Sequence, residues 1–68
     1  DNVSIYSAES RIVVKGAENS NIYVYDVNGR VVRTQANATE TVEFTVPGTG
    51  VYLVKVGNAP AKRVVVVR

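Results

Sequence analysis

Residues 40–46 read Glu-Thr-Val-Glu-Phe-Thr-Val, so Val42, Phe44 and Val46 fall on one side of an extended chain and Glu43 and Thr45 on the other. That period of two belongs to a half-buried β-strand, whose successive side chains point to opposite faces. The alternation recurs along the chain, and no segment sustains the i, i+3, i+4 rhythm of an amphipathic helix. Turn residues interrupt it at short, regular intervals, the signature of a sandwich or barrel. Strands are expected over residues 3–6, 11–15, 21–26, 30–35, 40–46, 51–56 and 62–68, with turns between them. Seven short strands predict an all-β fold, an immunoglobulin-like Greek-key β-sandwich. Its loops must be minimal, because such domains usually run to about 100 residues.

At 68 residues the chain reads as one domain, residues 1–68, with no linker or repeat. A chain of this size buries only about 60% of the surface its unfolded form exposes. With no cysteine, no disulfide supplements that core, and β-branched packing has to carry the fold. The first residues open directly onto a polar strand rather than a signal peptide, so the sequence reads as a piece excised from a larger secreted protein.

The absence of histidine and cysteine removes Ser-His-Asp and Cys-His nucleophilic sites and the usual zinc sites, so no enzyme activity and no cofactor are expected. Of the six acids, Glu40 and Glu43 fall on opposite faces of their strand, and nothing suggests a catalytic carboxylate pair. The net charge is +2, and Arg11, Lys15, Arg30, Arg33, Lys55, Lys62, Arg63 and Arg68 are dispersed among the acids. A nucleic-acid binder concentrates its cations on one face with stacking aromatics, so nucleic acid is not an expected partner. No apolar run reaches the ~20 residues that a membrane-spanning helix needs.

Four local features stand out. Asp26-Val27-Asn28-Gly29-Arg30 reads as a hairpin turn: Asn-Gly favours positive φ, Asp26 can accept from the amides beyond it, and Gly29 suits the left-handed position. As a calcium site it falls short, since Asp26 and Asn28 are two ligands where calcium takes 6–8 oxygens. Gly50-Val51-Tyr52, just after Pro47-Gly48, has the form of a tyrosine corner, with Tyr52 bonding back to upstream backbone. Lys62-Arg63-Val64-Val65-Val66-Val67-Arg68 places four valines between basic flanks that guard against aggregation. That strand is either buried on both faces or an edge that a partner pairs with, and edge pairing is also the route by which a monomer would dimerise. Tyr23 and Tyr25 share one strand face and form either cross-strand packing or a sugar-stacking platform. Asn2-Val3-Ser4 and Asn37-Ala38-Thr39 fit the glycosylation sequon.

Three of these segments, in this order and spacing, resemble the C-terminal sorting domain of the type IX secretion system of Bacteroidota. They are Val24-Tyr25-Asp26-Val27-Asn28-Gly29-Arg30-Val31-Val32, Gly50-Val51-Tyr52-Leu53-Val54-Lys55-Val56, and the basic-valine terminus. The resemblance spans roughly residues 3–68. In place of the Tyr-Pro-Asn-Pro-like motif that many members carry at the first strand stands Ile5-Tyr6-Ser7-Ala8.

The resemblance implies a non-enzymatic signal that takes attached cargo through the outer-membrane translocon. A shuttle protein receives the domain, and a sortase-like peptidase anchors the cargo at the cell surface. The implied location is the periplasm in transit, then the outer-membrane surface or the medium. The positions that carry over are Asp26, Gly29 and Arg30, then Gly50 and Tyr52, then Lys62, Arg63, Val64, Val65, Val66, Val67 and Arg68. The alternatives are a carbohydrate- or protein-binding adhesin-like module, with Tyr23 and Tyr25 as its platform, and a structural spacer.

Overall fold

A computed structural model describes residues 2–67. Its described residues form seven strands and no helix: β1 (Ser4–Ala8), β2 (Arg11–Lys15), β3 (Ile22–Tyr25), β4 (Val31–Gln35), β5 (Thr41–Thr45), β6 (Gly50–Val56) and β7 (Lys62–Val66). They build two antiparallel sheets, one ordered β1-β2-β5 and the other β4-β3-β6-β7. The chain crosses between sheets after β2, β4 and β5, which gives the Greek-key, immunoglobulin-like sandwich that the strand count predicts.

The alternation fixes which faces meet. Ile12, Val14, Ile22, Val24, Val54 and Val66 are fully buried between the sheets, joined by Phe44, Val46, Tyr52, Val56 and Val64. Each buried Val or Ile contributes about 1.5–3 kcal/mol relative to an exposed one, so these positions dominate the stability of so small a domain. Val42 packs against this core from its margin. Ala17 and Ala38 are also buried, although both sit in connections that the sequence pattern reads only as loops. The two connections bond to each other, Asn19 N–H to Ala38 O at 2.8 Å and Ala38 N–H to Ser20 O at 2.9 Å, and close one end of the core. There Gly16 takes φ +84° with an added Cβ only 2.6 Å from the Asn2 carbonyl oxygen, a contact that excludes any side chain.

Three elements differ from the sequence expectation. β1 runs on to Ala8, because Ser7 and Ala8 pair with Ile12 and Arg11 and leave only Glu9 and Ser10 to turn. Both take positive φ, 52° and 68°, the requirement of a type I′ hairpin. The turn carrying Asn28-Gly29 spans the expected residues 27–29 with Gly29 left-handed at φ +85°, and differs only in that Asn28 is not among the positive-φ residues. Gly29 N–H donates to Asp26 O at 3.0 Å and Asp26 N–H to Arg30 O at 2.9 Å, a type I turn followed by a left-handed glycine. β7 is an edge strand rather than one buried on both faces: Val64 and Val66 point inward while Val65 and Val67 are 53% and 71% exposed. Arg68 lies outside the described residues.

Pairing registers sort the connections to two ends of the sandwich. The 9–10 turn, the 27–29 loop, the 46–49 connection and the far end of β7 share one end. The 16–21, 36–40 and 57–61 connections share the other, with Asn2 beside Gly16. Because the number of strands is odd and neighbours alternate in direction, residues 2 and 67 emerge at opposite ends.

Candidate functional site

The end of the sandwich where β7 finishes brings together most of the residues singled out from sequence. Asp26 organises its first part. Its Oδ1 accepts from Asn28 N–H at 2.9 Å and Arg30 N–H at 3.1 Å, and its Oδ2 accepts from Arg30 Nε at 3.2 Å. The Arg30 amide holds the Asp26 carboxyl below its ordinary value, with the Asn28 amide and the Arg30 guanidinium adding to the effect against some desolvation. Gly29 has nothing within 4 Å of an added Cβ, so its positive φ alone makes glycine the fitting residue. Val27, Asn28, Gly29 and Arg30 are all exposed.

Two strands across, β7 ends beside β6. Gly50 pairs with Val66, Val51 with Val65 and Tyr52 with Val64. Beneath this end Tyr52 forms the expected tyrosine corner. Its hydroxyl donates to Gly48 O at 2.7 Å and accepts from Gly48 N–H at 3.3 Å, while its ring is 6% exposed in the core. Gly50 opens β6 with free space where a side chain would stand. Ser10 Oγ donates to Val67 O at 3.2 Å and ties the type I′ turn to the end of the last strand. Lys62 and Arg63 lie further down β7, paired with Val54 and Leu53, so the basic start of that strand is not part of this end.

Sequence reasoning missed two arrangements. A register shift between Val24 and Tyr25 lets Val32 pack toward the core while Arg33 pairs with buried Val24. Arg33 Nε then donates to Thr45 O at 2.7 Å and Nη1 to Val32 O at 2.7 Å, bridging the two sheets along the β4–β5 seam. At the opposite end Glu18 and Glu40 share a hydrogen bond between exposed carboxyls, which lowers the pKa of Glu18 and raises that of Glu40. The bond to Glu18 is the main cause of the rise at Glu40, the like charge of Glu18 adds to it, and Lys15 offsets part of it, so the two carboxyls titrate as a pair.

No pocket opens among the described residues, and no group of three or more His, Cys, Asp or Glu among them could hold a metal ion. No helix among them is long and apolar enough to cross a membrane. A family model described as a domain of unknown function, DUF6383, matches residues 1–66. The chain belongs to the DUF6383 family. No curated protein and no solved structure matches the chain. Two exposed surfaces of this DUF6383 domain stand out: the end carrying the 26–30 turn and the end of β7, and the outer face of the four-stranded sheet.

Proposed function

We propose that this DUF6383 domain is a non-enzymatic sorting signal that directs attached cargo across the outer membrane through the type IX secretion system and on to the cell surface. Its partners in this reading are the outer-membrane translocon, a shuttle protein and a sortase-like peptidase, and its route runs through the periplasm. The observation that supports the reading is a convergence. The Asp26, Gly29 and Arg30 turn and the end of the valine strand, 36 or more residues apart in sequence, lie at one end of the sandwich over the Tyr52 corner. A signal read by protein partners needs such a rigid, exposed epitope. The turn is preorganised by three hydrogen bonds to one carboxylate, and β7 offers an edge for strand addition.

The test fuses residues 1–68 to the C-terminus of a periplasmic reporter in a host that has the secretion system. Surface delivery is expected. Replacing Asp26 and Arg30 together by alanine, or deleting residues 64–68, should leave the reporter in the periplasm. The triple substitution of Lys62, Arg63 and Arg68 by alanine separates charge at the β7 flanks from the strand itself. A reporter that stays periplasmic when fused to the folded domain, or that reaches the surface without residues 64–68, refutes the sorting function.

A further inference from the structure

The two outer faces of the sandwich differ in a way that the core does not require. On the three-stranded sheet the outward positions are mostly polar: Ser4, Lys15 and Thr41 share one row, Ala8, Arg11 and Thr45 another. The row between them holds Tyr6, Val13 and Glu43, and Glu43 neutralises Arg11 of the neighbouring row at 3.6 Å. On the four-stranded sheet one row reads Val31, Tyr25, Leu53, Arg63 and the next Thr34, Tyr23, Lys55. A third row sets Val51 beside Val65, and Val31 and Val65 are 52% and 53% exposed. Tyr23 and Tyr25 are half-buried, and their rings stack at 6.4 Å between centroids with 28° between planes.

Lys55 stands directly across from Tyr23, and Arg63 lies two strands from Tyr25 in its row, with Leu53 between them. Neither cation makes an ion pair among the described residues, and no carboxylate occupies these rows. Side chains directly opposite on one face have Cβ atoms about 4.5–5.5 Å apart, so the Lys55 ammonium reaches the rim of the aromatic pair, while Arg63 stands on the far side of Leu53 in the same row.

The geometry points to the outer face of the four-stranded sheet as a binding surface for an acidic polysaccharide, a chain of pyranose rings bearing carboxylate or sulfate groups. Each part of the face matches one part of that ligand. The near-parallel, half-buried tyrosine rings offer apolar surface to the C–H face of a sugar. Lys55 and Arg63, both on the β6–β7 flank of the tyrosine pair, offer charge-assisted hydrogen bonds to acidic substituents along that side. An apolar protein partner would want the rows closed by aliphatic contact, whereas unpaired cations buried against it would cost more than they return. An open, flat, unpocketed sheet also suits a polymer held side-on better than a small molecule held in a cavity. This surface adjoins the 26–30 turn and includes Arg63 and Val65 of β7, but binding is read on the isolated chain and does not depend on the sorting function.

The experiment titrates the intact 68-residue chain with oligogalacturonate and a heparin oligosaccharide, against a neutral cello-oligosaccharide and polyglutamate. Calorimetry reads affinity and amide chemical shifts locate the site. The expected result is binding of one or both acidic sugars, with shifts centred on Tyr23, Tyr25, Leu53 and Lys55. Tyr23→Leu and Tyr25→Leu keep the strand's apolar bulk, and each should weaken binding about tenfold, the equivalent of roughly 1.4 kcal/mol. Lys55→Ala with Arg63→Ala should weaken it and flatten its salt dependence, while Arg11→Ala on the other sheet should not. Binding of neither acidic sugar overturns the proposal. Equal binding of the neutral sugar removes the role of charge and overturns it too. Polyglutamate binding as tightly, indifferent to the tyrosine substitutions, would make the face an acidic-peptide site instead.

Discussion

Replacing Tyr52 by phenylalanine removes one oxygen from the core and nothing else, which makes its cost calculable. The hydroxyl donates to Gly48 O at 2.7 Å, at the ideal distance for an O–H···O bond, and accepts from Gly48 N–H at 3.3 Å, beyond the usual range. The first bond is worth about 0.5–1.5 kcal/mol net and the second adds a fraction of that. Gly48 is partly exposed, so water re-solvates some of what is lost and the full penalty for an orphaned buried group does not apply. The expected loss is about 1–2 kcal/mol, or a fall in Tm of roughly 5–15 °C for a domain of this size. Urea titration followed by circular dichroism should show a lower midpoint at unchanged slope, since the surface exposed on unfolding is the same. Tyr6→Phe is the control: Tyr6 is 40% exposed, and its change should stay within about 0.5 kcal/mol. A Tyr52→Phe midpoint equal to that of the unaltered protein would mean that the corner contributes nothing beyond packing of the ring, and the reasoning would fail.

Gly29→Val should destabilise the domain by about 1–3 kcal/mol in the same titration, through backbone strain alone, because a Cβ there meets no neighbour. Gly29→Asn, which tolerates the left-handed region, should recover part of that loss. Asp26 has its folded pKa below the ordinary value of 3.8, so its contribution is complete above that value and is lost as pH falls through the lowered folded pKa. Asp26→Asn should accordingly flatten the acid limb of stability against pH below about 4. The raised pKa of Glu40 works in the opposite sense: its contribution is complete below the ordinary 4.5 and is lost as pH rises through the raised folded value. Glu40→Gln keeps a donor to Glu18 and removes the repulsion, so its thermal midpoint should exceed that of the unaltered domain at pH 7, with the difference vanishing below pH 4.

How much of this was legible beforehand depends on whether a feature was local. β5 and β6 could be read because inward Phe44 and Val46, then Tyr52, Val54 and Val56, repeat with the period of a strand. The tyrosine corner followed from a Tyr placed just after Pro47-Gly48 at the start of β6. The type I′ turn was hidden because Glu9 and Ser10 are not residues that favour positive φ, and the pairing of Ser7 and Ala8 with β2 imposes it on them. Arg33 was hidden by the bulge, which changes the side on which every later residue of β4 falls. The Glu18–Glu40 bond joins two loops that only the closed fold brings together, so comparing Glu40 with Glu43 along one strand could not find it. The valine strand was ambiguous for a related reason. Val64 to Val67 carry no alternation of their own, and only their place at the sheet edge decides which are covered.

The opposed positions of residues 2 and 67 have a mechanical meaning. A pull applied between them runs along the strands, so β1 slides against β2 and β7 against β6. Antiparallel hydrogen bonds lie perpendicular to that direction and are loaded together in shear, not peeled one after another. Resistance to such a pull is set by the unfolding rate rather than by equilibrium stability. A pull between residues 2 and 67 would thus be met by paired strands of both sheets sliding together, with no disulfide to share the load.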